Sequence, residues 1–428
     1  MKILYVCSLP FPISQLRAFP ALFWPMYRLI GRGHDVRFIF WSNLPDPGSA
    51  DWFDPAWIVA NVVGTYREGS RISRGMRDVT RLAAFYRAID AEVANGDYDV
   101  IYGHSRLGAV AQTVGARRRV PVCIRWYGDS DFCCKTIEKY GRFVAAIKHP
   151  FNWLNYRLPY AFFLTTDDQS FGDRTYEAWK KKRPSGPFFH WKTGIEFQTV
   201  SDCAGEVTAP EGHYIFFAGR FARWKGIENV IETLHHLHQK GLPIDLYLAG
   251  STDGGPSSKE YIEEIRGQVN QLGLAEHVHF LGGVSRETLK LFAYHATANV
   301  IMHHIANIGN VFYEMMSVGG VIVTTDDGAV RQFIDTGVNG FVVDGPQEGA
   351  DRILYLLEHP DVGVEMRSAA VAQSREKFLS IEDRFDLEAD LVEMAAQYYR
   401  DPKAFRGAVK RLESTIEEGG KLELGRWS

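Results

Sequence analysis

The sequence predicts an α/β protein built from two doubly wound domains. Short strand-like runs such as Lys2–Cys7 and Val36–Phe40 alternate with stretches of helical periodicity, which is the pattern of a buried parallel sheet. The same alternation starts again at Tyr214–Ala218. Between the two blocks, Val200–His213 contains the Ser, Asp, Gly and Pro residues that are typical of a linker.

In the first block, the apolar patterns predict four strands and two helices. The helix over Leu16–Arg32 contains Pro20, which suits a first turn, and Pro25, which we expect to kink or restart the helix. The second helix is expected over Leu107–Ala116. The predicted strands are Lys2–Cys7, Val36–Phe40, Val100–Tyr102 and Val120–Arg125.

The second block repeats the alternation and ends in helices. After residue 352 the pattern is helical, with breaks at Pro360 and at Asp401-Pro402. We expect an N-terminal domain over 1–200, a second domain over 213–395 and a helical segment over 396–428. The predicted strands are Tyr214–Ala218, Ile244–Ala249, Val278–Leu281, Ala298–Met302, Val321–Thr325 and Val342–Val343; the predicted helices are Ile227–Lys240, Lys259–Leu272, Thr288–His295 and Val311–Val318.

The composition excludes several classes of protein. The chain has 428 residues, 46% hydrophobic and 23% charged, which is ordinary globular usage and not that of a disordered, collagenous or coiled-coil protein. A formal charge of −4 gives no reason to expect nucleic acid as a partner. The five cysteines have no spacing typical of a metal site or a disulfide framework. The sequence also shows no recognisable signal peptide or membrane-spanning run, so we expect a cytoplasmic protein.

The segment 218–226 is the first that carries chemistry. It follows a strand and opens a helix, so Gly219 allows a tight turn and Arg220 and Lys225 place two cations beside a helix N-terminus. A guanidinium, an ammonium and the positive end of a helix together suit a diphosphate. The alternative is a surface loop with two solvated cations.

The segment 304–314 has the same organisation of strand, loop and helix. Backbone N–H groups at Gly309, Asn310 and Val311 can bind a phosphate oxygen, and the carboxylate of Glu314 can accept hydrogen bonds from a ribose diol. The alternative is an ordinary capped helix in which Glu314 favours the helix dipole.

Six short motifs in a fixed order resemble the nucleotide-binding half of family-4 retaining glycosyltransferases of the GT-B fold. The resemblance is strong over residues 214–344 and weaker in the N-terminal half, where it rests on Met1–Cys7, Gly33-His34-Asp35-Val36 and Thr193-Gly194-Ile195-Glu196. The six motifs are Gly219-Arg220 with Lys225-Gly226, Leu248-Ala249-Gly250, Val278–Gly282, Asn310-Val311 with Glu314 and Gly320, Thr324–Gly328, and Gly337–Phe341.

The resemblance implies a fold and a set of roles. It implies two Rossmann-like domains facing each other across a cleft, with C-terminal helices able to cross back to the first domain. Arg220 and Lys225 would bind the donor diphosphate, and Glu314 would hold its ribose. Gly309, Asn310 and Val311 would line the phosphate and the transferred sugar, and the backbone at Val278, His279 and Phe280 would meet the base. Gly219, which turns the chain before Arg220, is also a donor-binding candidate.

The chain departs from the family pattern at sugar-contacting positions. Ala306 stands where the family usually has a first Glu, and Tyr127 stands where a His often precedes a Gly. Candidates for acceptor or sugar contact in the N-terminal domain are therefore His104, Tyr127 and Asp129. The alternatives are a structural histidine at a strand end and a polar cap on a loop.

Basic and aromatic residues alternate between Phe132 and Tyr160. Lys135, Lys139 and Arg142 are among the cations, and Glu138 is the one acid counted against them. Such a stretch can dock on an anionic membrane surface or a lipid-linked acceptor. The alternative is an amphipathic helix that packs on the first domain and exposes a solvated basic face.

These observations predict a glycosyltransferase (EC 2.4, hexosyltransferase-like) that moves a sugar from a nucleoside-diphosphate sugar to an acceptor hydroxyl. The resemblance implies retention of configuration, no cofactor and no obligate metal, and a role in glycan, glycolipid or natural-product glycoside synthesis. Two alternatives stay open: a nucleotide-sugar epimerase of the same fold, and a non-catalytic nucleotide-binding scaffold, which Ala306 would suit. A Rossmann dehydrogenase is disfavoured, since no GxGxxG follows the first strand.

Overall fold

The chain folds as two compact units. The computed structural model describes residues 1–9, 11–63, 71–128, 133–203, 208–250, 256–305 and 308–419. Unit 1 comprises Met1–Gly194 together with Ile381–Ser428, and unit 2 comprises Ile195–Ser380. Each unit contains its own parallel sheet.

The sheet of unit 1 has seven parallel strands among the described residues, in the order β3-β2-β1-β4-β5-β6-β7. Its central strands are buried on both faces, because helices cover the sheet on each side, and this explains their nearly continuous apolar sequences. The strands are β1 (Lys2–Leu9), β2 (Asp35–Ser42), β3 (Ile58–Val63), β4 (Val100–His104), β5 (Val122–Trp126), β6 (Phe162–Thr166) and β7 (Phe188–Trp191).

The sheet of unit 2 has six parallel strands among the described residues, in the order β10-β9-β8-β11-β12-β13. One continuous core of aliphatic and aromatic side chains joins the sheet to the helices packed on it. The strands are β8 (Tyr214–Ala218), β9 (Asp245–Ala249), β10 (Val278–Gly282), β11 (Ala298–Ile301), β12 (Ile322–Thr325) and β13 (Gly340–Val343).

Helices connect the strands in both units. Those of unit 1 before the crossover are α1 (Pro20–Gly31), α2 (Arg71–Asn95), α3 (Gly108–Arg118), α4 (Cys133–Lys148), α5 (Pro150–Arg157) and α6 (Gly172–Trp179). Those of unit 2 are α7 (Val200–Cys203), α8 (Ile227–Gln239), α9 (Pro256–Gln271), α10 (Arg286–His295), α11 (Asn310–Ser317), α12 (Pro346–Glu358) and α13 (Pro360–Lys377). The chain then returns to unit 1 as α14 (Ile381–Ala395) and α15 (Pro402–Gly419).

The structure excludes one of the two expected effects of Pro25, a restart of the helix. Helix α1 begins with Pro20 in its first turn, as expected, but it continues through Pro25 as one helix of 12 residues. Pro25 is buried, so packing of the helix on unit 1 compensates for the hydrogen bond that a proline removes.

The division into units differs from the boundaries expected from the sequence. Unit 1 ends at Gly194, before the segment 200–213 that the composition suggested as a linker. Residues 381–395, expected at the end of the second domain, form α14, which packs against α1, β4 and β5 of unit 1. The reason is a buried carboxylate on α14, Glu388, which binds Arg125 of β5.

Within the described residues, no helix has both the length and the apolar character needed to cross a membrane.

Candidate functional site

A cavity of about 200 Å³ lies at the strand ends of unit 2. Strands β8 and β11 are neighbours at the centre of the sheet, and the strand order runs outward in opposite directions from them. The carboxyl ends of strands at such a switch point are where open α/β sheets bind ligands. The cavity is lined by Ala218, Gly219, Arg220, Trp224, Lys225, Ile301, His303, Gly309, Val311 and Phe312.

The loop after β8 delivers both predicted cations to this cavity. Arg220 is exposed and, within the described chain, has no ion-pair or hydrogen-bond partner for its guanidinium. Lys225 is only 9% exposed, and its ammonium lies 4.2 Å from the centre of the Trp224 ring. The two cations therefore differ in setting, since one is solvated and the other is held in a partly apolar wall.

Gly226 allows this loop to enter helix α8. Its φ is +61°, and a Cβ atom at this position would lie 1.8 Å from the carbonyl oxygen of Met302. Only glycine fits there, because a side chain would collide with the backbone that follows β11. The Lys-Gly pair of the sequence motif thus has a steric cause.

The loop after β11 is fastened directly to the loop after β8. The backbone N–H of His304 donates to the carbonyl oxygen of Trp224 at 3.0 Å, and the His303 ring packs edge-on against Trp224 at 5.8 Å. The imidazole of His304 lies 2.6 Å from Glu228 of α8. Burial opposes ionisation of Glu228, but hydrogen bonds from Tyr261 and His304 outweigh it and keep its pKa below the ordinary value.

The charges around the cavity favour an anion. Two cations, Arg220 and Lys225, line it, and none of its lining residues is acidic. Its volume is below the range of about 300–1,000 Å³ for pockets that enclose drug-sized ligands. The cavity therefore suits a small anionic group, such as the diphosphate of a larger ligand.

Helix α11 adds its N-terminus to the same place. Gly309 precedes the helix in an extended conformation, and both Gly309 and Val311 line the cavity, whereas Asn310 does not. The first N–H groups of a helix have no partner within it, and the helix dipole adds positive potential. No acidic side chain occupies the first turn of α11 to satisfy these groups.

Glu314 lies deeper in α11 and is paired. It is 7% exposed, and Arg286 at the start of α10 lies 3.0 Å from its Oε1 atom. Arg286 also binds Glu196 at 3.1 Å, and the fully buried Lys290 bonds Glu196 as well. Burial raises the pKa of Glu314 above its ordinary value, although Arg286 and Lys290 oppose this shift.

The second oxygen of that carboxylate, Oε2 of Glu314, has no hydrogen-bond partner in the described part of the chain. It stays available to accept from a hydroxyl group. The role of Glu314 at a donor ribose remains a prediction.

The segment predicted to meet the base forms strand β10 at one edge of the sheet. Val278 and Phe280 face the core of unit 2, and Arg266 lies over the Phe280 ring at 4.3 Å. His279 faces the other side, where it stacks on Tyr247 at 4.6 Å and binds Asp245 at 3.1 Å. The side chains of these three residues thus contact other residues of unit 2. The predicted contact of their backbone with a base remains a prediction.

In unit 1, His104 and Tyr127 lie at the ends of the neighbouring strands β4 and β5. Nδ1 of His104 is 2.5 Å from the Tyr127 hydroxyl, and the imidazole stacks on Tyr5 at 4.3 Å. Burial, aided by Arg125, lowers the pKa of His104 well below its ordinary value, and burial raises the pKa of Tyr127. His104 is 1% exposed, whereas Tyr127 is half-buried. Because the buried imidazole is hydrogen-bonded to the Tyr127 hydroxyl, it fixes the position of that hydroxyl.

Asp129 lies outside the described residues, as does Ala306, the position of the missing family glutamate.

Five cavity residues were not among the sequence candidates: Ala218, Trp224, Ile301, His303 and Phe312. His303 had a usable signal, because it comes two residues after strand β11 at the same edge of the sheet as Gly219. Trp224 and Phe312 carry no such signal, since aromatic residues beside a glycine-rich loop are as often part of the core. Among the described residues, no group of three or more His, Cys, Asp or Glu side chains is placed to hold a metal ion; independence of a metal remains a prediction.

Comparison with known proteins gives a family match for unit 2. Residues 205–377, nearly the whole unit, match the family of glycosyl transferases group 1. This match confirms the resemblance that the ordered motifs indicated.

Relatives of known name match the same half of the chain. A trehalose synthase of Pyrococcus horikoshii is 28% identical over 171 residues, which are 40% of this chain and 41% of the relative. The chain thus spans about two fifths of the length of the curated relatives it matches.

Solved structures match nearly the whole chain. The HepE protein of Anabaena, crystallised with UDP, superposes with a TM-score of 0.61 at 16% identity and covers 92% of this chain and 100% of its own. The sucrose-phosphate synthase of Thermosynechococcus elongatus gives a TM-score of 0.65 at 18% identity, with 97% and 100% covered. The chain therefore has the predicted GT-B fold of two Rossmann-like domains.

Proposed function

We propose that this protein transfers a sugar from a nucleoside-diphosphate sugar to an acceptor hydroxyl. The observation that carries the proposal is the cavity at the β8–β11 switch point, where two cations and a helix N-terminus meet. The group 1 family match and the UDP complex of the structural neighbour support a nucleotide-sugar donor.

Catalysis on this proposal is positioning and charge stabilisation. As the bond between the sugar and the diphosphate breaks, negative charge develops on the departing phosphate oxygens. Arg220, Lys225 and the first N–H groups of α11 lie where they can stabilise that charge. Cations already in place need little reorganisation, so no obligate metal is required.

Retention of configuration and the handling of the acceptor belong to the same proposal. The departing phosphate oxygen takes the proton of the acceptor hydroxyl, and the new bond forms on the face that the leaving group occupied. In unit 1, Tyr127 presents a neutral hydroxyl that His104 orients, which suits a hydrogen bond to an acceptor hydroxyl. Glycan, lipid-linked and small-molecule acceptors all offer this group.

Turnover assays with a panel of nucleotide sugars and acceptors test the proposal. We expect release of nucleoside diphosphate and formation of a new glycoside only when an acceptor is present, with unchanged activity in a chelator. The anomeric configuration of the product, read by NMR, tests retention.

A matched pair of variants controls that assay. Lys225→Ala should lower turnover about 100- to 1,000-fold, the usual effect of removing one transition-state donor. Arg331→Ala removes an exposed cation elsewhere in unit 2 that binds Asp326, and should leave turnover unchanged. Epimerised donor without acceptor would favour the epimerase, and tight binding without turnover across the panel would favour the scaffold; either result contradicts the transferase.

A further inference from the structure

Four large apolar side chains of helix α4 are exposed within eight residues. Tyr140 is 47% exposed, Phe143 75%, Val144 39% and Ile147 66%. Single apolar residues on a surface are ordinary, but a cluster marks a surface that binds something. Phe143 and Ile147 are four residues apart and therefore share one side of the helix.

The rest of unit 1 holds this surface in place. Ala145 of the same helix is fully buried, and Gly141, with φ +79°, interrupts the helix between Tyr140 and Phe143. The indole N–H of Trp179, at the end of α6, donates to the carbonyl oxygen of Arg142 at 3.2 Å. The apolar residues thus project from a packed helix and not from a loose loop.

Basic residues surround the exposed apolar side chains. Lys139, Arg142 and Lys148 are exposed on α4 itself. The Trp179 contact brings the end of α6 beside them, where three further exposed cations follow directly: Lys181, Lys182 and Arg183. We call the four apolar residues and these six cations the α4 face.

The local charge contrasts with that of the whole protein. The segments 133–148 and 172–183 carry nine Lys and Arg residues and three acidic residues, whereas the whole chain has a formal charge of −4. Two of those acids are already paired, Glu138 with Arg174 at 3.7 Å and Glu177 with Lys180 at 2.9 Å. The positive charge of the α4 face is therefore little compensated locally.

We propose that the α4 face docks on the surface of an anionic lipid bilayer. Phe143, Val144 and Ile147 would enter the boundary between headgroups and acyl chains, while the surrounding Lys and Arg side chains bind anionic headgroups. Contact at the surface agrees with the absence, among the described residues, of any helix able to cross a membrane.

The chemistry of the face favours lipid over the other occupants. A second copy of the chain would bring two strongly basic patches together, and like charges oppose such an interface. Aliphatic side chains such as Ile147 gain little from nucleic acid, which binds through stacking and hydrogen bonds. The inference goes beyond the proposed transferase activity and does not depend on it.

Flotation of the purified full chain with lipid vesicles tests the inference. We expect the protein to float with vesicles of phosphatidylcholine and phosphatidylglycerol, to bind pure phosphatidylcholine far more weakly, and to lose binding as salt rises. Phe143→Ser with Ile147→Ser should lower the partition coefficient about tenfold or more, because the inserted apolar groups are gone. Lys181→Gln with Lys182→Gln should lower it by a similar factor.

A matched variant in unit 2 is the control. Val338 and Val364 are 58% and 64% exposed, so Val338→Ser with Val364→Ser removes two largely exposed apolar groups outside the α4 face. This variant should float like the wild type. The inference fails if the wild-type protein ignores both vesicle types, or if the α4 variants float unchanged. It also fails if sedimentation shows a dimer that Phe143→Ser with Ile147→Ser dissociates. Nucleotide binding by the same variants is measured without vesicles. Unchanged nucleotide binding would show that a loss of flotation does not come from damage to the candidate donor site.

Discussion

Gly226 shows how one residue determines the geometry of the candidate donor site. Its left-handed backbone turns the chain from the loop that carries Lys225 into helix α8, and it leaves no space for a side chain beside Met302. The same contact brings the loop after β11 against the loop after β8. The distance between the cations and the N-terminus of α11 thus depends on a buried glycine.

Gly226→Ala should therefore destabilise unit 2 strongly. A methyl group there meets both a backbone clash and an unfavourable φ, so we expect a loss of roughly 3–5 kcal/mol in the free energy of unfolding. Gly273→Ala is the matched control, because Gly273 has φ +70° but no atom within 4 Å of its Cβ position; it should cost only about 1–2 kcal/mol. Urea denaturation measures both, and equal losses would contradict the steric account.

The sequence predicted those residues of the unit 2 cavity that follow from position along the chain. Gly219, Arg220, Lys225 and Gly309 come directly after strands or directly before a helix, and parallel strands bring such positions to one edge. The pairing of Glu314 with Arg286 could not be predicted, because the two residues meet through the packing of α10 on α11. Burial of His104 likewise depends on a stacked neighbour, Tyr5, that is far away in the sequence.

Strands β6 and β7 were not predicted from the sequence, unlike the central strands of both sheets. The central strands of both sheets were predicted close to their observed bounds, because each is a short, buried, aliphatic run between turns. Strand β7 has only four residues and lies at the edge of its sheet, and β6 follows the aromatic-rich helix α5 after only four residues. Strand β3 is only half buried, and it was not predicted although five of its six residues are apolar.

A buried ion pair connects β6 and β7 and makes stability depend on pH. His190 of β7 pairs in register with Thr165 of β6. Nδ1 of His190 lies 2.6 Å from the Thr165 hydroxyl, and Nε2 lies 3.4 Å from Oδ1 of Asp167. Burial opposes protonation of His190, but Asp167 outweighs it and raises the pKa of His190. Burial likewise opposes ionisation of Asp167, but His190 outweighs it and lowers the pKa of Asp167.

The stabilisation by this pair should be greatest at mildly acidic pH. His190 contributes fully to stability below its ordinary pKa of 6.5, and this contribution is lost as the pH rises through its raised pKa in the folded protein. Asp167 contributes above its ordinary pKa of 3.8, and its contribution is lost as the pH falls through its lowered pKa in the folded protein. We expect His190→Asn to destabilise the protein more at about pH 5.5 than at about pH 8.5. Urea midpoints at both pH values measure the difference, with the exposed His213→Asn as control. A pH-independent effect of His190→Asn would contradict the ion pair.

At the scale of the whole molecule, the chain leaves unit 1 after Gly194, builds unit 2 and returns at Ile381. The return is fixed by Glu388 of α14, which is fully buried and accepts from Arg125 at 3.1 Å and from Arg384 at 3.0 Å. The Tyr102 hydroxyl also donates to it. Burial, together with the charge of Arg125, lowers the pKa of Arg384 to about 10 in spite of Glu388.

Removing the Glu388 carboxylate should weaken the packing of α14 in unit 1. Glu388→Ala leaves two buried guanidinium groups without their anion, so we expect a loss of about 3–5 kcal/mol in the free energy of unfolding. Glu382→Ala, which removes an exposed carboxylate from the same helix, should change stability by less than about 0.5 kcal/mol. Chemical denaturation followed by circular dichroism compares them; a Glu388→Ala protein as stable as the control would mean that the buried cluster does not hold α14.

The most direct test of the donor site is a calorimetric titration of nucleoside diphosphates into the wild-type protein and Arg220→Ala. We expect the wild-type protein to bind at least one of UDP, GDP, ADP, CDP and dTDP, and Arg220→Ala to bind it about 10- to 100-fold more weakly with its fold intact, since a charged hydrogen bond to phosphate is lost. Arg331→Ala should bind as the wild type does. Equal affinity in the wild-type protein and Arg220→Ala would contradict the assignment of this cavity to the diphosphate.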